Sequence, residues 1–299
     1  MPPLVVVARP LPAAGLERLY ERFDVRMGLD DVAGAAAIVA DPTVPVDARL
    51  LDAAGPSLKV VANFAVGYDN IDTAACGERG VVVTNTPDVL TNATAELAVA
   101  LMLAAARRLG EGERIVRAGR WTGWHPEQLL GRELAGATVG IVGMGRIGSR
   151  VAELLRGFSP RVLHTSRHGG SSIEDLVAES DFVSLHAPLT DETRHLVNAD
   201  LLARFKPGSI LVNTARGGLV DTAALVRALR DGPLAAAGLD VYEHEPDVPS
   251  ELLELENVVL LPHLGSATRT ARDGMATLVA DNVIAVLEGR NPITPVAVA

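Results

Sequence analysis

Residues Thr138–Leu155 read TVGIVGMGRIGSRVAELL, and the order of residue types in this stretch decides the fold. A β-branched run ends at Val142 as a buried strand, and Gly143, Gly145 and Gly148 follow. Beyond them Ile147, Val151, Leu154, Leu155 and Phe158 recur at the spacing of one helix face. Each glycine has a physical task in such a turn. Gly143 permits the tight reversal, Gly145 lets backbone approach a pyrophosphate, and Gly148 lets the helix lie close to the strand. The helix start at Arg146 and Ile147 offers free N–H groups and a partial positive charge to phosphates. Between a strand and a helix the pattern predicts a dinucleotide site; a glycine-rich turn, or a site for another adenosyl ligand, is the plainer alternative.

Working outward, short apolar runs alternate with helical patterns on both sides. Upstream, strands are expected at Leu4–Ala8, Ala36–Ala40, Leu58–Asn63 and Val81–Thr84, with helices at Ala13–Arg22, Asp47–Ala54 and Asn70–Glu78. Thr91 or Asn92 caps a long helix running to about Leu109, which carries the chain between domains. Glu111 to Arg132 gives no clear pattern. Downstream, strands are expected at Thr138–Val142, Arg161–Thr165, Phe182–His186, Ser209–Asn213, Ala236–Leu239 and Val258–Leu260. A last helix, Arg269 to Glu288, should return to the first domain. The alternation predicts an α/β protein of two doubly wound parallel sheets with a cleft between them. Residues 1–92 plus 268–299 form one domain and 93–267 the dinucleotide-binding one.

The strand after the glycine turn tests which dinucleotide is bound. It reads RVLHTSRHGG, with no acidic residue at its end to accept from a ribose 2′-hydroxyl. Thr165, Ser166, Arg167 and His168 stand there instead, and an arginine fork suits a 2′-phosphate. NADP(H) is therefore the expected cofactor, with NAD(H) possible.

Three polar residues follow strands of the same domain: Arg216 in NTARGGLVD, Glu245 in DVYEHEP and His263 in LLPHLGSAT. Ligands bind beyond the carboxyl ends of parallel strands, so the three could converge. Reduction of a 2-oxo acid needs a cation for the carboxylate, a hydride donor and an acid for the carbonyl oxygen. Arg216 can be the cation, and an imidazole such as His263 exchanges protons near neutrality. Glu245 would orient that imidazole and stabilise its protonated form. Taken singly, Arg216 reads as an ion-pair partner, Glu245 as a solvated loop residue and His263 as a core histidine. The glycine turn and the ordered triple together outweigh those readings.

The remaining composition narrows the class. With 299 residues, the chain suits two domains, and 48% hydrophobic residues suffice for their cores. A net charge of −10, with two lysines against 25 arginines, argues against nucleic acid as a partner. One cysteine, Cys76, suits a reducing cytoplasm and excludes an internal disulfide. No leader is expected, and the longest apolar stretch, Leu97 to Ala106, is half the roughly 20 residues of a membrane span. No metal-ligand spacing appears, so no metal is expected.

Several long segments resemble the D-isomer-specific 2-hydroxyacid dehydrogenases, and most closely their glyoxylate/hydroxypyruvate reductase branch. They are ANFAVGYDNID (Ala62–Asp72), TNTPDVLTNATAELA (Thr84–Ala98), GIVGMGRIG (Gly140–Gly148), LHAPLTDETRHLVN (Leu185–Asn198), NTARGGLVD (Asn213–Asp221), GLDVYEHEP (Gly238–Pro246) and LPHLGSAT (Leu261–Thr268). The resemblance implies a flavodoxin-like substrate domain and a Rossmann cofactor domain. It implies Arg216, Glu245 and His263 as the catalytic set, and backbone at Val66 and Gly67 as further carboxylate donors. It assigns Asp240 to the nicotinamide amide and places RAGRWTGWHP near the substrate cleft and a homodimer contact. Thr222 departs from the family at a position often acidic. A second reading keeps the scaffold but not the chemistry: a dinucleotide-sensing, corepressor-like binding protein. A methyltransferase-like enzyme of an adenosyl ligand, the third, leaves the Arg, Glu and His set without a purpose.

Overall fold

Val5, Val6 and Val7 are wholly buried, as a central strand covered on both faces requires. They belong to β1 (Leu4–Val7), followed by α1 (Ala13–Tyr20), β2 (Asp24–Met27), β3 (Ala37–Ala40), α2 (Ala48–Ala54), β4 (Val60–Asn63), α3 (Thr73–Glu78) and β5 (Val82–Thr84). The strands form one parallel sheet in the order β2-β1-β3-β4-β5, the flavodoxin-like arrangement. These elements form the first of two compact units in this computed structural model, Met1–Leu90 with the chain from Ser266 onward; Thr91–Gly265 is the second. Residues 1–167 and 169–297 are described. The C-terminal helix, Arg269–Leu287, packs on α1 so closely that a Cβ on Gly15 would overlap the Ala276 carbonyl.

Strand β2 is absent from the expectations drawn from sequence. Its residues, DVRM, are largely exposed, so no hydrophobic alternation marks it. It is an edge strand, and charges at Asp24 and Arg26 keep its outer side from pairing further.

The second unit begins with α4 (Thr91–Ala106) and α5 (Leu109–Arg117). The single helix expected to reach Leu109 is broken at Arg108, whose φ is +52°. Two contacts hold the break. Arg132 N–H donates to the Ala106 carbonyl at 2.9 Å, and the Arg108 guanidinium grips Glu111 at 2.8 and 3.0 Å.

The sheet then assembles from β6 (Thr138–Val142), α6 (Arg146–Leu154), β7 (Arg161–Ser166), β8 (Gly169–Gly170), α7 (Ile173–Glu179), β9 (Phe182–Leu185), α8 (Ala199–Leu202), β10 (Ser209–Asn213), α9 (Thr222–Arg230), β11 (Leu234–Leu239), α10 (Ser250–Leu253) and β12 (Val258–Leu260). The order is β12-β11-β10-β9-β6-β7-β8, parallel except for the short β7–β8 pair. Burial on both faces explains the apolar runs. In β10, Ile210 and Val212 join the core under α4 and α6, while Leu211 joins the core under α9. Strand order reverses between β6 and β9, the point at which doubly wound sheets open a crevice for ligands.

Candidate active site and dinucleotide cradle

The turn after β6 separates glycines required by the protein from one it does not require. Gly143 has φ +95°, and a Cβ there would stand 2.7 Å from the His186 carbonyl at the end of β9. A Cβ on Gly148 would overlap the Gly143 carbonyl oxygen. A Cβ on Gly145 would meet nothing within 4 Å. Gly145 is exposed at the N-cap of α6, where it contributes no side-chain hydrogen bond. Helices α2, α3 and α9, by contrast, are capped by the carboxylates of Asp47, Asp72 and Asp221. The start of α6 thus has open space and no side-chain cap at the reversal of strand order, a cradle that fits a pyrophosphate. Arg146 and Ile147 form its first turn.

At the end of β7, Ser166 Oγ donates to the Gly169 carbonyl at 3.1 Å, and Arg167 is exposed beyond it. His168, grouped with them in sequence, lies outside the described residues. Across the crevice, His186 Nε2 is 2.9 Å from Ser184 Oγ, and burial lowers its pKa to about 4.

Arg216 follows β10 in a turn tied down by Asn213. The Asn213 amide donates to the Arg216 carbonyl at 2.8 Å, and its oxygen accepts from Ala215 N–H at 3.0 Å. Glu245 and His263 are brought together: His263 Nδ1 lies 2.7 Å from Glu245 Oε2. A carboxylate only accepts, so Nδ1 carries the hydrogen and Nε2 is left for proton exchange. The other Glu245 oxygen accepts from Tyr242 N–H at 3.1 Å. Burial by itself would raise the Glu245 pKa. Its bond to His263, the His263 charge, Tyr242 N–H and the nearby Arg216 charge outweigh burial and lower it. Arg216 is thus close enough for its charge to be felt at Glu245.

Asp240, fully buried, supports the histidine. Its carboxylate accepts from the N–H groups of Leu264 at 2.6 Å and Gly265 at 2.8 Å, and its carbonyl accepts from His263 N–H at 2.9 Å. Burial pushes the Asp240 carboxyl upward in pKa against those two N–H bonds. These bonds hold His263 at φ +56°, a conformation that a non-glycine residue adopts only when its surroundings impose it.

In the first unit, three successive carbonyls after β4 are anchored. Ala65 accepts from Thr86 N–H, and Val66 and Gly67 accept from the Asn85 and Asn63 amides, each at 2.8 Å. In a planar trans peptide N–H and C=O oppose each other, so anchoring the carbonyls of 65 and 66 turns the N–H groups of Val66 and Gly67 away from those anchors. Neither N–H has an acceptor among the described residues. Arg272 of the C-terminal helix lies 5.7 Å from the Phe64 ring centroid, next to this segment.

Sequence reasoning passed over Asn213, Tyr242 and a second carboxylate–imidazole pair, Glu243 with His195, at 2.6 Å. Position at the last residue of β10 was a usable signal for Asn213. Nothing in spacing joins residues 195 and 243. Trp121 and Trp124 are 56% and 82% exposed, so neither is core.

An open helix start at the reversal of a doubly wound sheet, with an imidazole backed by a carboxylate near an arginine in the same unit, has the makings of a dinucleotide-dependent oxidoreductase. Comparison with known proteins narrows the class. Residues 99–265 match the family model for the D-isomer specific 2-hydroxyacid dehydrogenase NAD-binding domain. The glyoxylate reductase of Thermococcus onnurineus is 48% identical, over 98% of this chain and 96% of its own. The crystal structure of a Thermus thermophilus protein superposes with a TM-score of 0.93 at 47% identity, covering 98% of this chain and 100% of the other. The NADPH-dependent glyoxylate/hydroxypyruvate reductase of Sinorhizobium meliloti, solved with NADP and malonate, gives 0.90 at 39% identity, covering 99% and 97%. The chain belongs to the D-isomer-specific 2-hydroxyacid dehydrogenase family and uses a nicotinamide dinucleotide. Among the described residues, no helix is long and apolar enough to cross a membrane.

Proposed function

We propose that this enzyme reduces glyoxylate or hydroxypyruvate to the 2-hydroxy acid with NADPH as the preferred donor. The observation that carries the reading is the 2.7 Å bond between His263 Nδ1 and Glu245, with the Arg216 charge felt at that carboxylate. When bound, the reduced dinucleotide supplies the hydride for the 2-carbon. His263 gives the proton from Nε2 to the 2-oxo oxygen, which becomes the hydroxyl. Glu245 fixes the imidazole tautomer and offsets its charge when protonated; such acid–base help contributes about 10²–10⁴ in rate. Arg216 takes the substrate carboxylate through charge-assisted hydrogen bonds. In the first unit, the Val66 and Gly67 N–H groups are the donors suited to a carboxylate.

Gly143, Gly145, Arg146, Ile147 and Gly148 are assigned to the pyrophosphate, and Ser166 and Arg167 to a ribose 2′-phosphate. Asp240 is assigned to the nicotinamide amide from the family resemblance; in the structure its carboxylate is fully buried and accepts from Leu264 and Gly265 N–H. Residues 1–92 plus 268–299 then serve as the substrate domain and 93–267 as the cofactor domain. The exposed Trp121 and Trp124 support a homodimer contact, and a lone buried cysteine is consistent with a cytoplasmic setting. A corepressor-like sensor would leave His263, Glu245 and Arg216 without work, and its likeness to named reductases disfavours it.

Reduced-nicotinamide absorbance tests the proposal, with NADPH or NADH against glyoxylate, hydroxypyruvate and pyruvate. Faster oxidation of NADPH with the first two acids is expected. Turnover mainly with NADH overturns the cofactor preference, and turnover with pyruvate alone overturns the substrate assignment.

A further inference from the structure

The loop leaving β11 carries two glutamates two residues apart, and each meets a histidine. Glu245 meets His263; Glu243 Oε1 meets His195 Nε2 at 2.6 Å. Glu243 has a second attachment, because its Oε2 accepts from Thr222 N–H at 3.1 Å. Thr222 opens α9, six residues after Arg216. His195 is tied to the same turn by its backbone, its N–H donating to the Gly218 carbonyl at 2.8 Å. It has φ +50°, a second histidine held in the left-handed region. Three segments therefore meet on one carboxylate: 193–197, the Arg216 turn through Thr222, and the loop bearing Glu245. Little slack exists where they touch, since a Cβ on Gly217 would overlap the Tyr242 carbonyl.

We infer that Glu243, gripping His195 and the Thr222 amide, is a positioning residue that sets the placement of Arg216 relative to the Glu245–His263 pair. Neither Glu243 nor His195 needs to touch substrate for this. The Glu243 side chain is 19% exposed, so solvent competes weakly for its two bonds, whereas His195 is 44% exposed and is the adjustable end. Burial acts to raise the Glu243 pKa, but the Thr222 and His195 hydrogen bonds prevail and hold it below the usual carboxylate range, keeping the gripping form. Severing the Thr222 bond frees the start of α9 from the loop, and Arg216 and Glu245 lose their common reference. A displacement of about 1 Å at such groups is worth up to about 100-fold in rate.

The inference rests on the catalytic assignment made above, and the experiment separates the two. Glu243→Ala, Glu243→Gln, His195→Gln and Arg216→Ala are compared for kcat, KM for glyoxylate, NADPH Kd and Tm. Glu243→Ala should lower kcat/KM by about 10- to 100-fold, through both a raised KM and a lowered kcat, with NADPH Kd unchanged. Glu243→Gln should recover most of the loss, because its oxygen still accepts from Thr222 and its amide can face a neutral imidazole. Adding His195→Gln to Glu243→Ala should cost nothing more, as expected for two residues acting as one unit. Wild-type kcat and KM in Glu243→Ala, or a lowered Tm alone, overturns the inference while Arg216→Ala remains inactive. An active Arg216→Ala overturns the catalytic assignment instead. If Glu243→Ala does not fold, His195→Ala decides, because it removes one side of the grip and leaves Glu243 Oε1 without its imidazole: unchanged kcat and KM in that variant overturn the grip.

Discussion

Two alanine substitutions three residues apart should have opposite consequences. At Gly148 a Cβ would overlap the Gly143 carbonyl oxygen, and the obstacle is backbone that has no rotamer to escape into. Overpacking of this kind costs about 1–3 kcal/mol or more, so Gly148→Ala should lower Tm by roughly 2–4 °C for each kcal/mol lost. At Gly145 a Cβ meets nothing within 4 Å, and φ −83°, ψ −160° is backbone that alanine adopts. Alanine is a much poorer N-cap than glycine, by about 0.5–1 kcal/mol, but it loses less chain entropy by a similar amount, so stability should stay within about 0.5 kcal/mol of the parent. The methyl group instead occupies the space through which a pyrophosphate would approach the start of α6. NADPH Kd should rise about 10- to 100-fold in Gly145→Ala, equivalent to roughly 1.4–2.7 kcal/mol. Thermal melts without ligand, followed by NADPH titration by calorimetry, read both quantities. An unchanged Tm in Gly148→Ala would refute the close-packing argument. Parental NADPH affinity in a stable Gly145→Ala would refute the placement of the pyrophosphate.

His263→Asn should lower kcat by about 10²–10⁴ in steady-state assays while leaving NADPH Kd within a few-fold. Arg167→Ala should lower kcat/KM for NADPH about 10-fold and leave that for NADH unchanged; an undiminished NADPH preference would remove Arg167 from the 2′-phosphate site. His186 predicts a pH dependence of stability. Its folded pKa of about 4 lies below its ordinary 6.5, so the unfolded chain takes the proton first as pH falls. Stability from this group is complete above about pH 6.5, falls by roughly 2 kcal/mol by pH 5, and goes on falling toward pH 4. Urea titrations across that range should show a flatter profile in His186→Gln, and an identical profile would count against a neutral folded histidine.

Much of the fold was legible because burial on both faces writes itself into composition. Val5–Val7 and the β10 run Ile210–Val212 are continuous apolar stretches of strand length, as a doubly covered strand calls for. The same logic explains the misses. Strand β2 faces solvent on most of its length, so its residues DVRM obey no apolar pattern. The break at Arg108 depends on Arg132, which lies far along the chain and holds the Ala106 carbonyl. Helical propensity in Leu97–Leu109 says nothing about that contact.

The site divides along a similar line. Arg216, Glu245 and His263 could be picked out because each follows a strand, and strand ends share one edge of a parallel sheet. What could not be read is how firmly each is held. Asn213 anchors the Arg216 turn through its own side chain, a local contact that a strand-end amide already hints at. Glu243 is different. Seen in sequence it is one of three charged or titratable residues in EHE, and nothing there distinguishes it from a solvated neighbour. Its role emerges only when the sheet brings residues 195, 222 and 243 together, because the bonds it makes join segments that have no common sequence pattern. Groups that perform chemistry must stand at an exposed strand end and so leave a positional trace. A group that only fixes distances between them can come from anywhere the fold delivers it, which is why Glu243 needs a kinetic test rather than a motif.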